Sequence, residues 1–290
     1  MTEGNQTTTA LPADSLIGAR LTELAGTQRM VFFAGLPGVG KSLLIRELAH
    51  IAHGLGRRLH LLQWDVARQG FVSDAVLAKY PDVNGVTHAV IRRAMGVWSR
   101  SAVARWHVDN PDAADMLIGE TPLIGNRFIE LAVPANDDAE PLLAAPNTTF
   151  LVPVPSRVVR QAIEGAREAS TADPRHEREA GDARPNVMQA IWSELLETAS
   201  VMGIGSQSDG SYNPYTYRGV YSAVLKHRRS EILPIEEVLP ENGRSVYDID
   251  APYTDVMPTE AEGDAFIARV EKAYPNLAAL EEEVARWYEV

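Results

Sequence analysis

The chain has 290 residues, a formal net charge of −12 and no cysteine. The missing thiols exclude disulfides, thiolate metal sites and cysteine nucleophiles, and the acidic balance disfavours an extended nucleic-acid-binding face while leaving room for a local basic pocket. No apolar run approaches a membrane span and the Thr-rich start has no signal-peptide pattern, so no membrane association and a cytoplasmic location are expected. One large α/β domain with insertions suits this length.

In chain order, residues 1–13 are polar and are expected to be disordered. Leu16, Ile17, Leu21 and Leu24 have helical spacing over residues 15–25. The β-prone run Val31-Phe32-Phe33-Ala34 then enters Gly35-Leu36-Pro37-Gly38-Val39-Gly40-Lys41-Ser42, which opens an amphipathic segment carrying Leu43, Leu44, Ile45, Leu48 and Ile51. Strand, glycine-rich loop and helix follow one another. Gly35, Gly38 and Gly40 allow positive φ and a close approach of backbone N–H groups to an anion. The positive end of the helix points at the same place. Lys41 adds a mobile charge for phosphate oxygens, and the Ser42 hydroxyl suits Mg²⁺.

This loop fits the G-x-x-x-x-G-K-[ST] pattern of the P-loop NTPase superfamily and looks most like the version found in small-molecule and nucleotide kinases. The resemblance implies ATP as co-substrate, Mg²⁺ as cofactor, and a nucleotide-binding set of Gly35, Gly38, Val39, Gly40, Lys41, Ser42 and Leu43. The fold expected with it is a P-loop kinase-like parallel β-sheet flanked by helices, with a helical lid insertion and a helical C-terminal tail.

The helix has stop residues at Gly54 and Gly56, and residues 59–65 read as a second strand that is apolar on both faces. Asp65 stands at its carboxyl end, where ligands bind in open α/β sheets and where a carboxylate can hold or deprotonate an acceptor hydroxyl. A helix-capping role suits Asp65 equally. Residues 86–107 have helical spacing. Trp64, Trp98 and Trp106 are candidates to stack on a planar substrate, against the alternative of core packing.

Residues 115–122 read as a third strand ending in Glu120, followed by a helix with Thr121 as N-cap and Pro122 at its first position. Glu120 stands beside the glycine-rich loop if this strand neighbours the first, able to serve a magnesium-bound water or orient a hydroxyl. Arg127, about two helical turns on, is expected to turn back toward the same pocket. The segment from Glu120 through Asn126-Arg127-Phe128 is similar to the Glu-Arg-Ser segment of deoxynucleoside kinases and more loosely to the Asp-Arg-Tyr segment of thymidylate kinases. It departs from the former in having Thr121 where that family has arginine. By the same resemblance, Asp65 corresponds to the family's glutamate at the end of the second strand, with Trp64 just before it.

Residues 148–155 form a plausible fourth strand that its prolines shorten or push to a margin. Ser156 caps a helix bearing Arg157, Arg160 and Arg167. The kinase resemblance makes these lid arginines, with Arg157 and Arg160 the stronger pair. For Arg167 a solvated face paired to Glu164 and Glu168 suits almost as well as the lid role. Residues 170–186 are charged, carry turn formers and read as mobile, residues 187–202 resume helical spacing, and residues 203–214 read as a second flexible stretch. A further helix around Tyr217 to Leu225, an apolar strand at 231–235, a proline-bearing connector and a helical tail broken near Pro275 complete the chain.

The organisation expected is therefore a disordered start at 1–13, a kinase-like domain at 14–239 with its lid insertion at about 157–216, and a connector with C-terminal helices at 240–290. The activity expected is ATP-dependent, Mg²⁺-dependent transfer to a small-molecule or nucleotide-like acceptor. Lys41, Asp65, Glu120, Arg157 and Arg160 are the catalytic candidates, Trp64, Asp65 and Arg127 the substrate-binding ones, and Ser42 and Glu120 the metal ligands. The alternative is an NTPase that couples hydrolysis to a conformational switch or a partner, with Glu120 activating water. The absence of an Asn-Lys-x-Asp guanine signature disfavours a GTP switch.

Overall fold

The apolar runs become strands: β1 (Met30–Ala34), β2 (Arg58–Gln63), β3 (Asp115–Thr121), β4 (Thr148–Pro155) and β5 (Ser230–Ile235). The computed structural model describes residues 9–83, 85–205 and 210–290. It adds a short sixth strand, β6 (Tyr253–Asp255), in the expected connector. All six pair in parallel in the order β5-β4-β1-β3-β2-β6. This is the α/β architecture expected from the sequence: one parallel sheet flanked by helices.

The helices are α1 (Leu16–Thr27), α2 (Lys41–Gly54), α3 (Trp64–Arg68), α4 (Asp74–Lys79), α5 (Ala89–Asp109), α6 (Glu140–Leu143), α7 (Arg157–Ala172), α8 (Pro185–Val201), α9 (Pro214–Val224), α10 (Glu260–Ala273) and α11 (Leu277–Ala285). Several begin where local chemistry dictates. Ser15 accepts from the Gly18 N–H, Ser156 from the Val159 N–H, and Thr259 forms a reciprocal capping box with Glu262.

Side-chain alternation along β1 divides the interior into two cores. Val31 and Phe33 face the layer built on α1 and α2, whereas Met30 and Phe32 face the layer that contains residues of α5, α9 and α10. Phe32 stacks on Phe150 of β4 with ring centroids 4.8 Å apart. Burying one such ring is worth about 2–3 kcal/mol. Both faces of the central strand are thus covered, as a parallel sheet requires. α10 and α11 pack on α5, so the tail closes the second core.

Four expectations need correction. Residues 9–13 do not float: Leu11 is buried, and the Ala10 and Leu11 N–H groups donate to Glu47 Oε2 at 2.6 and 3.2 Å. Residues 1–8 of the expected disordered start lie outside the described residues, as do residues 206–209 of the second flexible stretch.

β4 is neither short nor marginal, being buried throughout between β1 and β5. Its prolines are tolerated because of direction. Phe150 and Ser156 donate their N–H groups toward the β5 side, so Pro153 and Pro155 lack theirs on the β1 side, where pairing has already ended at Leu151.

No helix starts at Pro122. Thr121 stays in the sheet opposite Ala34 and donates its hydroxyl to the Phe33 carbonyl instead of capping. Leu123, Gly125, Asn126 and Phe128 then take positive φ, giving two 3₁₀ turns and a Leu123–Arg127 bridge.

The charged stretch 170–186 is packed. α7 runs through Ala172, a 3₁₀ turn covers Glu177–Gly181, and buried Glu179 accepts a hydrogen bond from the Ser245 hydroxyl.

Candidate functional site

The chain leaves β1 toward β2 on one side of the sheet, then returns through β3 and crosses to β4 on the other. Connections that diverge in this way open a crevice at the carboxyl ends of the central strands. The glycine-rich loop lies there. Gly38 (φ 73°) and Gly40 (φ 91°) adopt left-handed conformations that turn the backbone into the head of α2.

Lys41 is the first residue of that helix and is buried. Its Nζ donates to the Leu36 carbonyl at 2.8 Å and lies 3.4 Å from Glu120 Oε1. Sheet register fixes this pairing, because Glu120 stands opposite Phe33 of β1 and Gln63 of β2. Burial pulls the Lys41 pKa below its ordinary value, and Glu120 opposes the shift.

Asp65 is not the last residue of β2, which ends at Gln63. It sits in the first turn of α3. Its side chain opens to the water of the cleft, but the surrounding protein still withdraws enough solvent to raise its pKa, and the nearby Glu120 charge raises it further. Lys41, Arg127 and Arg178 act in the opposite direction. Trp64 is buried edge-on against Phe128, ring centroids 5.0 Å apart, and borders the cleft. Trp98 and Trp106 are core residues away from it.

These groups line a cavity of about 650 Å³. Gly38, Gly40, Lys41, Ser42 and Leu43 form its floor, with Trp64, Asp65, Glu120 and Arg127 along one wall. Gly35 and Val39 are buried beneath the loop and do not reach it. The opposite wall is a stripe of α7: Val159, Ala162, Ile163, Ala166, Arg167 and Ser170. An apolar corner forms where Val159 and Ile163 meet Ile235, Val238 and Leu239.

The three α7 arginines take different positions around the helix. At about 100° per residue, Arg160 falls about 60° and Arg157 about 120° from Ile163 around the helix. Arg157 is accordingly exposed and outside the cavity. Arg160 is buried under the loop, donating to the Pro37 carbonyl and to Glu164 Oε1, with its guanidinium 5.5 Å from the Tyr212 ring centre. Arg167 does face the cavity, paired with Asp182 rather than with Glu164 or Glu168. Arg178 also lines it and donates to Gln63 Oε1 at 3.1 Å. The i, i+3/i+4 stripe through Arg167 was readable in the sequence. Arg178 left no such signal.

Tyr247, from the segment between β5 and β6, enters the same space. Its hydroxyl donates to Asp182 Oδ1 with Ser42 beside it, and its ring lies 4.7 Å from the Arg178 guanidinium. Burial, with the Glu120 charge, raises its pKa.

No protein-family model, curated protein or solved structure matches this chain.

Proposed function

We propose that the chain is a P-loop kinase-like phosphotransferase that moves the terminal phosphoryl group of ATP to a hydroxyl-bearing small molecule. The observation that carries this reading is the meeting of Lys41, Glu120 and Asp65 in one cavity at the ends of β1, β3 and β2. Phosphoryl transfer needs charge neutralisation and positioning more than covalent help, and the groups present supply both.

The loop N–H groups and Lys41 would hold the phosphates, with Lys41 exchanging the Leu36 carbonyl for a phosphate oxygen. Arg167 and Arg178 would close over the transferred group, where planar, permanently charged guanidinium forks suit phosphate. Asp65 would position the acceptor hydroxyl and take its proton. Its raised pKa makes it a better proton acceptor than an ordinary aspartate. The apolar corner between α7 and residues 235–239 would take the nucleotide base.

Mg²⁺ would find oxygen donors in Ser42 and Glu120, both of which line the cavity. Among the described residues no group of three or more His, Asp or Glu side chains converges on a metal position, and Mg²⁺ commonly takes few protein ligands beside phosphate oxygens and waters. Ser42 would ligate it directly and Glu120 would hold a bound water. The ion would supply neutralisation of phosphate charge.

The test is ATP turnover with and without a pool of small hydroxyl compounds. Transfer predicts slow hydrolysis that gives way to a labelled phosphorylated product when the acceptor is present. Phosphate release that ignores small molecules and rises only with a macromolecular partner would favour the switch NTPase instead.

A further inference from the structure

After β3 the chain makes its run of left-handed turns, and this irregular segment presents two backbone carbonyls to two arginines. Arg127 Nη1 donates to the Ile124 carbonyl at 3.1 Å, and Arg92, from the first turn of α5, donates to the Gly125 carbonyl. A Cβ placed on Gly125 would lie 2.9 Å from Arg127 Nη1 and 3.3 Å from Arg92 Nη1. The two guanidinium groups are therefore within about 6 Å of each other, close enough for like charges to repel through protein.

Neither arginine has a carboxylate within ion-pair distance among the described residues, although both are half-buried. Arg92 Nε is buried without a hydrogen-bond partner. Burial and the neighbouring Arg127 pull the Arg92 pKa down to about 10, and burial lowers that of Arg127 as well. The nearest acid is Glu194 of α8, whose Oε1 lies 3.3 Å from the same point above Gly125. Glu194, on an exposed helix face, acts on both cations and Asp65 acts on Arg127, yet neither carboxylate closes an ion pair with them. The Arg100, Arg228, Asp137 and Glu140 cluster, by contrast, pairs its arginines closely with carboxylates.

Arg127 lines the cavity, and Asp65 is within electrostatic reach of both Lys41 and Arg127. The cavity wall thus offers a phosphate loop, then a proton acceptor, then a cation pair short of an anion. We propose that Arg127, backed by Arg92, anchors an anionic group carried by the acceptor itself, so that the acceptor is a hydroxyl compound bearing a phosphate monoester away from the reacting hydroxyl. Two adjacent cations suit a dianionic phosphate monoester better than a carboxylate. The inference rests on the phosphotransferase reading and narrows its acceptor class.

The experiment uses the full chain saturated with Mg²⁺ and a non-hydrolysable ATP analogue, so that the glycine-rich loop is filled. Inorganic phosphate is titrated in, with acetate at equal ionic strength as the second arm, and melting temperature reports binding to the native state. Phosphate should raise the melting temperature more than acetate does. Arg127→Met should weaken phosphate binding by about ten-fold or more, the scale of a lost charge-assisted hydrogen bond, and Arg92→Met, which removes only the cation behind it, should weaken it by less, with analogue affinity within about two-fold of wild type in both. Arg127→Met without ligand should melt no lower than wild type, since the change removes a half-buried cation that closes no ion pair.

A phosphate response equal to that of acetate, or one that survives both substitutions, overturns the proposal. So does a lower unliganded melting temperature combined with undiminished phosphate affinity, which would make the pair structural. Failure of the ATP analogue itself to bind would instead overturn the phosphotransferase reading, and this proposal with it.

Discussion

Lys41 Nζ stands between two oxygens of different kinds, 2.8 Å from the Leu36 carbonyl and 3.4 Å from Glu120 Oε1. The carbonyl belongs to the loop itself, so a phosphate can replace it without rebuilding the sheet, whereas Glu120 is fixed by β3. Lys41→Ala should keep the fold and lower turnover by about a thousand-fold, the scale seen when one preorganised charge-stabilising donor is removed. Glu120→Gln should shift the Mg²⁺ dependence and, by removing the charge that opposes burial, lower the Lys41 pKa further. Circular dichroism and Mg²⁺ titrations of turnover check the pair. Loss of folding in Lys41→Ala with nucleotide affinity intact would contradict the loop assignment.

Asp65 carries a pH signature. Its folded pKa is raised above the ordinary 3.8, so the native state holds that proton more tightly than the unfolded chain. Stability from this source is fully present below 3.8 and is lost as pH rises through the folded value. Asp65→Asn should therefore raise the unliganded melting temperature at neutral pH, with the gain vanishing in acid, and it should reduce transfer while ATP and Mg²⁺ still bind. In the wild type, kcat should fall on the acid side as Asp65 protonates. A melting-temperature difference independent of pH would refute the assignment.

The α7 arginines divide by helical angle. Arg167→Ala should lower kcat by roughly ten-fold to a thousand-fold with little change in nucleotide Kd, as expected of an interaction made mainly in the transition state. Arg157→Ala should leave both unchanged. Arg160→Ala should lower the melting temperature, because it frees the Pro37 carbonyl and opens space beneath Gly38, where Arg160 Nη1 lies 3.0 Å from a built Cβ. Steady-state kinetics beside thermal melts separate the three, and a large kcat loss for Arg157→Ala would return the lid role to it.

Tyr247 ties the segment before β6 to Asp182 and stands beside the proposed metal ligand Ser42. A metal ion on Ser42 would compete with the neighbouring Tyr247 hydroxyl. Tyr247→Phe should then tighten Mg²⁺·nucleotide binding by about three-fold to ten-fold, the range of one hydrogen bond. Calorimetric titration measures it, and weaker binding in the variant would show that the hydroxyl serves the ligand rather than competing with it.

The legible parts of this chain were those set by local period or by a short motif. β1 to β5 follow apolar runs, α7 and α10 begin at Ser156 and Thr259 as capping chemistry dictates, and Lys41 and Ser42 lie at the head of α2 in the cavity. The turn after Glu120 misled because Thr121 and Pro122 carry a helix-start signal that tertiary contacts override. Thr121 bonds across to Phe33, and the Pro122 carbonyl accepts from the buried Tyr221 hydroxyl at 2.6 Å. Arg127 reaches the cavity all the same, by a tight turn instead of a helix. Arg178 and Tyr247 were invisible, since their place depends on residues 173–184 and 240–250 packing together over the loop. β6, three residues long with two of them exposed, has no apolar run to announce it.

The most direct measurement of the central claim follows the fate of the terminal phosphorus of ATP. The protein is incubated with γ-labelled ATP, Mg²⁺ and a mixed pool of phosphorylated and unphosphorylated polyols, and the products are separated. Label should appear in a new phosphorylated small molecule drawn from the phosphate-bearing members of the pool, and it should disappear with Lys41→Ala and with Asp65→Asn. Label recovered only as inorganic phosphate, at one rate with or without the pool and undiminished by Asp65→Asn, would contradict phosphoryl transfer to a small molecule at this site.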